Sequence, residues 1–279
     1  MPSFLKHQSR KSNLHTLRPG SLWGYACAMM DLQWPLILGV HAVCSTRQGG
    51  VSAAPYDSLN LGDHVGDAPS AVAQNRARLA QQLSGAQPVF MKQIHGSDVL
   101  MLDHTTPHGL SFDAACTPQT NLACTVMVAD CLPVLLVDSQ GRAVAAAHAG
   151  WRGLAQGVLE KTAHAVSAAA HCEPSALRAW LGPCIGQPAF EVGQDVRNAF
   201  VSQHAQAEVF FKPRDASPGK WLADLSGLAR WRLNLMGVRD VSGNDGSAAW
   251  CTVQNRSQFF SFRRDGVSGR FAACIWRSA

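Results

Sequence analysis

Cys131 and His148 lie 17 residues apart, and each closes an apolar run. From Leu122 the chain reads as a strand ending at Ala129-Asp130-Cys131. A second apolar run follows over 134–137, then a turn at Ser139-Gln140-Gly141. A third run over 143–147 ends at His148. His95 has the same setting, where the run 88–94 gives way to Gly96. Thiolate and imidazole are good zinc ligands, and three protein ligands with an open fourth position is the catalytic pattern. The same atoms support a second chemistry. A Cys131 thiolate activated by a histidine is a nucleophile, and Asp130 is placed in sequence to orient that histidine. Residue types and spacing leave both open. Neither H-E-x-x-H nor the deaminase pair H-x-E and P-C-x-x-C occurs. One histidine among eleven ordinarily serves packing or faces solvent. The three chosen here differ in closing runs whose ends can converge on one side of a sheet.

The elements that must position them follow from periodicity and punctuation. A strand over 36–46 enters a glycine-rich turn, 46–52, and then a polar loop, 55–67. Glycines there can bring backbone N–H groups close to a ligand, and Arg47 is a candidate clamp for phosphate or carboxylate. No G-x-x-x-x-G-K-[ST] or G-x-G-x-x-G is present, so the loop is not a standard nucleotide motif. Pro69 opens a helix that Gly85 ends. Strands are predicted over 88–94 and 99–102, a helix over 154–170 and a strand over 177–181. Helices over 195–204 and from Leu225 to Gly237 come next, then strand segments at 251–252, 259–262 and 269–276. Strands and helices alternate loosely and without repeats. That pattern suits an α/β (α+β) domain with a mixed sheet covered by helices.

Bulk composition narrows the class. Of 279 residues, 47% are hydrophobic and only 15% charged, which promises a large buried core. Residues 1–33 have no period and mix Ser, Gly, Pro and basic side chains. They are read as a poorly ordered leader to a single domain, 34–279, with Met29 or Met30 as a candidate start. Deleting 1–29 is then expected to leave folding and activity intact. The net charge of +5 lacks the Lys/Arg runs of a nucleic-acid binder, so no nucleic-acid partner is expected. No apolar run has transmembrane length and no h-region follows the basic N-terminus, so no membrane role is expected. Nine cysteines without a C-x-x-C pair fit reduced thiols, hence a cytoplasmic protein.

Ordered segments from residue 35 to the C-terminus make the chain resemble the YfiH-type family. They are TRQGGVS (46–52), PYDSLNLGDHVGD (55–67), QNR (74–76), QIHG (93–96), ADCLPVLLVD (129–138), AHAGWRG (147–153), LGPCIG (181–186), FEVG (190–193) and FSFRRDGVSGR (260–270). That family is variously described as a multicopper polyphenol oxidase (laccase) domain, a peptidoglycan editing factor and a purine nucleoside phosphorylase. Phe262 departs from its pattern, standing where a hydroxylated aromatic or histidine is expected, and so does Ala115-Cys116. The resemblance implies an α-β-β-α sandwich related to toxin-type cysteine hydrolases. It also implies a metal centre of His95, Cys131 and His148, with zinc expected and copper as the other option.

The activity implied is purine nucleoside chemistry: phosphorolysis of adenosine, inosine, guanosine and methylthioadenosine, and adenosine deamination. Its partners would be a purine nucleoside and phosphate, on a monomer or weak dimer. Arg47, Arg152 and Arg264 are the candidates for the anion, and Asn60 and His64 for ribose or base. A cytoplasmic amidase acting on peptidoglycan precursors through Cys131 or its metal is an alternative. A laccase is another, although a multicopper site needs many histidines and this chain has no His-x-His pair. A non-enzymatic metal-binding partner protein is the remaining and weakest reading.

Overall fold

Through the central strands, alternate residues go to different layers, as a two-residue period requires. The protein is described from a computed structural model covering residues 28–32, 34, 37–214 and 217–279. In chain order its strands are Met29–Met30 (β1), Val40–Ser45 (β2), Gln87–Phe90 (β3), Val99–Met101 (β4), Ala114–Thr117 (β5), Leu122–Val128 (β6) and Leu132–Asp138 (β7). They continue with Val144–Ala149 (β8), Leu177–Leu181 (β9), Glu191–Gly193 (β10), Phe211–Pro213 (β11), Lys220–Ala223 (β12), Asp240–Gly243 (β13) and Phe271–Arg277 (β14). The helices are Pro69–Gln81 (α1), Trp151–Ala155 (α2), Val158–Ala170 (α3), Gln194–Val201 (α4), Leu225–Leu235 (α5) and Phe262–Asp265 (α6).

Two mixed sheets face each other, one ordered β1-β2-β14-β6-β3 and the other β13-β9-β7-β8-β5-β4. Leu122, Cys124, Val126 and Val128 of β6 meet Leu135, Val137, Val144 and Ala146 of β7 and β8 between the sheets. Leu135 is fully buried there, and cutting such a side chain to alanine costs about 2–5 kcal/mol. The opposite parity of β6, Ala123 and Met127, packs under Leu79 of α1 and under Leu59 and Leu61 of the preceding loop. Val134 and Leu136 face Leu159, Val166 and Leu228 of α3 and α5. The layers are therefore α-β-β-α, as the family resemblance implied. A small third sheet, β10-β12-β11, lies beyond.

Several expected elements differ. The helix read over 154–170 is two helices, because Gly157 takes φ 89°, a left-handed conformation that interrupts it. The strand read over 88–94 stops at Phe90. The Lys92 N–H donates to the Leu110 carbonyl, the Gln93 side chain takes over the bonds to the Met127 backbone, and the N–H groups of 94–96 turn to a carboxylate. The run 259–262 is not a strand. Phe259 and Phe260 are buried, but the Ser261 side chain accepts from the Arg264 N–H and starts α6. Cys251 makes only an isolated bridge to Cys184. Of the leader read over 1–33, residues 1–27 and 33 lie outside the described residues. Met29 and Met30 pair antiparallel with Ser45 and Cys44, so the sheet begins before residue 34.

Candidate active site

The β7–β8 hairpin brings Cys131 and His148 together. Pro133 pairs with His148 and Leu132 with Ala149, so Cys131, just ahead of β7, stands beside the end of β8. His148 shares the parity of Val144 and Ala146, which face the opposite sheet. His95 comes from the other sheet, on the loop after β3, where its φ is 61°. Sulfur and ring nitrogens of the three residues lie within 4.8 Å of one another. Cys131 Sγ is 4.0 Å from His95 Nε2, and the two imidazoles meet edge to face at 4.9 Å. Gly150 makes this approach possible: a Cβ there would sit 3.0 Å from Cys131 Sγ and 3.1 Å from His95 Cδ2.

Asp113 stands behind the cluster, fully buried at the start of β5. Its carboxylate accepts from the backbone N–H groups of Ile94, His95 and Gly96 at 3.1, 2.9 and 2.7 Å. It also lies 2.8 Å from His148 Nδ1. Nδ1 therefore carries the proton and leaves Nε2 to face Cys131. Burial alone would raise the Cys131 pKa. The His148 charge, with hydrogen bonds from His148 and His95, outweighs it and brings the thiol down to about 6. Burial alone would lower His148, but the Cys131 charge and the Asp113 contact push it up to about 9.

The donor set fits a metal. In a tetrahedral zinc site with these ligands, neighbouring donor atoms lie about 3.3–3.6 Å apart, so a small contraction completes it. The Asp113–His148 contact is the carboxylate–histidine support usual behind a metal-bound imidazole. Asp130 does not orient the histidine, as its place in sequence suggested. Its φ is 88°, and its carboxylate accepts from Thr252 Oγ1 at 2.6 Å and the Arg263 N–H at 2.7 Å, tying α6 to the site.

Above the cluster opens a cavity of about 310 Å³, walled also by His64, Gln93, Phe190, Phe262, Arg263 and Arg270. Of the sequence candidates for substrate, His64 reaches it. Asn60 is fully buried behind the wall, where its side chain holds Gly62, Asp67 and the Arg270 N–H. Arg47 and Arg264 lie instead along a separate groove of about 730 Å³. Arg47 is bound to Asp57 and to the Arg256 carbonyl. Arg264 is bound to Asp265 and to the carbonyls of Thr252, Val253 and Phe259. Arg152 is exposed and lies over Trp151 at 4.6 Å, away from the cavity lining. Asp113 and Arg270 were missed in the sequence, and Arg263 enters there only as part of the turn at Arg263-Arg264, which is expected to complete the pocket. A lone acid opening the apolar run 113–116 was the available signal for Asp113.

A two-sheet sandwich holding a Cys-His-His cluster over a buried aspartate, at the mouth between its sheets, defines an α/β domain with a metal- or thiol-type site. The chain belongs to the YfiH family, whose model, described as multi-copper polyphenol oxidoreductase laccase, matches residues 41–278. It is 46% identical to a purine nucleoside phosphorylase of Pseudomonas aeruginosa, over 89% of this chain and 98% of that one. It is 48% identical to the purine nucleoside phosphorylase YfiH of Escherichia coli K12, over 88% and 96%. A crystal structure of a Neisseria meningitidis protein of the DUF152 family superposes with a TM-score of 0.81. That protein is 45% identical, with 91% of this chain and all of that one covered.

Proposed function

We propose that this cavity is the active site of a zinc-dependent purine nucleoside phosphorylase. The observation that carries the reading is the juxtaposition in one cavity of the His95-Cys131-His148 cluster, two arginines and two phenylalanines. The relatives named purine nucleoside phosphorylase match nearly the whole of both chains, which supports it. About 310 Å³ lies within the range of small-ligand pockets. Phe190 and Phe262 offer apolar faces for a purine, and His64 offers polar atoms for ribose or base, while the Gln93 amide is held by the Met127 backbone. Adenosine, inosine, guanosine and methylthioadenosine are the proposed substrates for phosphorolysis, with adenosine deamination as an accompanying hydrolysis.

His95, Cys131 and His148 would hold the zinc, and Asp113 would keep His148 in the liganding tautomer. When bound, zinc supplies Lewis-acid polarisation and lowers the pKa of a water at the open position. Copper suits the same donors. However, the described residues contain one such cluster, where a multicopper oxidase needs several copper sites. Eight cysteines among the described residues are unpaired, which supports a reducing, cytoplasmic location. No helix among the described residues is long and apolar enough to cross a membrane.

One specific observation favours a second reading. Cys131, His148 and Asp113 stand in line as thiol, base and orienting acid, the arrangement of a cysteine hydrolase. Such an enzyme could act as the peptidoglycan-precursor amidase. Metal analysis of the wild type and Cys131→Ala, together with two substrate assays, separates the readings. About one equivalent of zinc, lost in the variant, with adenine released from adenosine only when phosphate is present, supports the phosphorylase. Metal-free protein that cleaves a serine-containing UDP-muropeptide and leaves adenosine intact sinks it.

A further inference from the structure

We propose that Arg270 and Arg263 form an oxyanion pocket beside the cluster, taking inorganic phosphate, and that the loop over 60–67 is its scaffold. The proposal rests on the phosphorolysis reading and names its anion subsite.

Charge neutralisation separates these two arginines from their neighbours. Arg264 is paired with Asp265 at 2.7 Å, Arg47 with Asp57 at 3.1 Å and Arg76 with Asp63 at 3.1 Å. Neither Arg263 nor Arg270 makes an ion pair among the described residues, yet both wall the cavity above Cys131. Their hydrogen bonds leave the same part of each guanidinium available. Arg270 Nη1 donates to the carbonyls of Ser268 and Gly269 at 2.8 and 3.0 Å. Arg263 Nη1 donates to those of Ala189 and Glu191 at 3.3 and 3.1 Å. Each side chain is thus fixed through Nη1, and its Nε–Nη2 edge has no protein partner among the described residues. That edge is one of those with which arginine grips a phosphate or carboxylate by two parallel hydrogen bonds.

The scaffold is built around Arg270. Asn60 Oδ1 accepts from the Arg270 N–H at 2.9 Å, and the Leu61 N–H donates to the Arg270 carbonyl at 3.0 Å. The Arg270 stem runs so close to Gly62 that a Cβ there would lie 2.8 Å from its Cγ. Arg263 is placed by the Asp130 carboxylate, which accepts from its N–H. The Cys131 thiolate and the Asp130 carboxylate are the nearby negative charges, but neither bonds the Arg270 guanidinium, so its free donors in this half-buried place are open to an added anion. Phosphate also suits the reaction. One of its oxygens bonds to the anomeric carbon as the carbon–nitrogen bond to the purine breaks. The bonding pair leaves with the purine, which takes up the proton from the phosphate.

The test is calorimetric titration of inorganic phosphate into the full chain and into Arg270→Gln, Arg263→Gln and Arg178→Gln, alongside nucleoside kinetics. Arg178 pairs with Asp240 and does not line the cavity, so it controls for net charge. Loss of one charge-assisted grip should weaken phosphate binding, and raise the KM for phosphate, by about tenfold or more in Arg270→Gln and Arg263→Gln. The KM for nucleoside should change much less, and Arg178→Gln should match wild type. Arg270→Lys, which keeps the charge, should recover part of the loss. If Arg270→Gln does not fold, the exposed Arg263→Gln decides alone. No saturable phosphate binding by wild type, or equal affinity in all variants, overturns the pocket. Phosphate binding that needs these arginines, without nucleoside turnover in wild type, supports the pocket and rejects phosphorolysis. Turnover whose phosphate KM ignores both arginines keeps phosphorolysis and rejects the pocket.

Discussion

His148 Nδ1 stands 2.8 Å from Asp113 Oδ1, and the His148 backbone N–H donates to the Asp113 carbonyl at 2.7 Å. One aspartate thus grips one histidine at both backbone and side chain. The same carboxylate collects the N–H groups of 94–96, so it also sets the loop that carries His95. Burial would raise the Asp113 pKa, but its hydrogen bond to His148 and the charge there hold it below the ordinary range.

Asp113→Asn should therefore weaken the metal site without removing a ligand. Loss of the carboxylate behind a liganding histidine lowers metal affinity by about 10–100-fold. Competition with a chromophoric chelator measures it. Unchanged zinc affinity in a folded Asp113→Asn protein would dissociate Asp113 from the site.

With metal removed, Cys131 and His148 should form an ion pair between about pH 6 and about pH 9. The Cys131 pKa is depressed, so its contribution to stability is complete above the unfolded thiol value of about 8.5 and fades as pH falls through about 6. The His148 pKa is raised, so its contribution is complete below the unfolded value of about 6.5 and fades as pH rises through about 9. Thiolate ultraviolet absorbance of chelator-treated protein should rise with a midpoint near 6 and be absent in Cys131→Ala. A midpoint at the ordinary thiol value would contradict the pairing.

Asp138 closes the far end of the hairpin that carries Cys131 and His148. Its fully buried carboxylate accepts from the N–H groups of Gln140, Arg142 and Ala143 and from Arg142 Nε. Asp138→Ala should cost about 2–4 kcal/mol by leaving several donors unmet. Burial would raise its pKa, but these donors hold it below the ordinary range. Its contribution is thus complete above the unfolded value of about 3.9 and is lost as pH falls through the lower folded value. Urea unfolding at neutral pH checks the first statement and a series in acid checks the second. A wild-type-like midpoint in Asp138→Ala would refute both.

Gly62→Ala should disturb the site indirectly, because the new Cβ would press on the Arg270 stem. Overpacking of this kind costs about 1–3 kcal/mol. The expected signature is a raised KM for phosphate in a folded protein with its full zinc content. A raised KM for nucleoside alone would point to His64 instead.

By itself the sequence determined the α/β class, because short apolar runs such as 134–137 and 143–147 alternate with helical segments. The structure then buries both faces of 122–128 and 132–138 and sends alternate side chains to different layers. The sequence also singled out Cys131, His148 and His95, because each closes an apolar run where backbone pairing ends. What it could not determine were contacts between residues distant along the chain. Asp113 lies 35 positions before His148, and only the β5–β8 register brings them together. Asn60 and Arg270 are 210 positions apart. Local spacing also made Arg47, Arg152 and Arg264 the anion candidates, whereas the cavity is walled by Arg263 and Arg270. A guanidinium's role depends on which of its donors folding engages with carboxylates and carbonyls, and only the tertiary structure decides which arginines keep donors open.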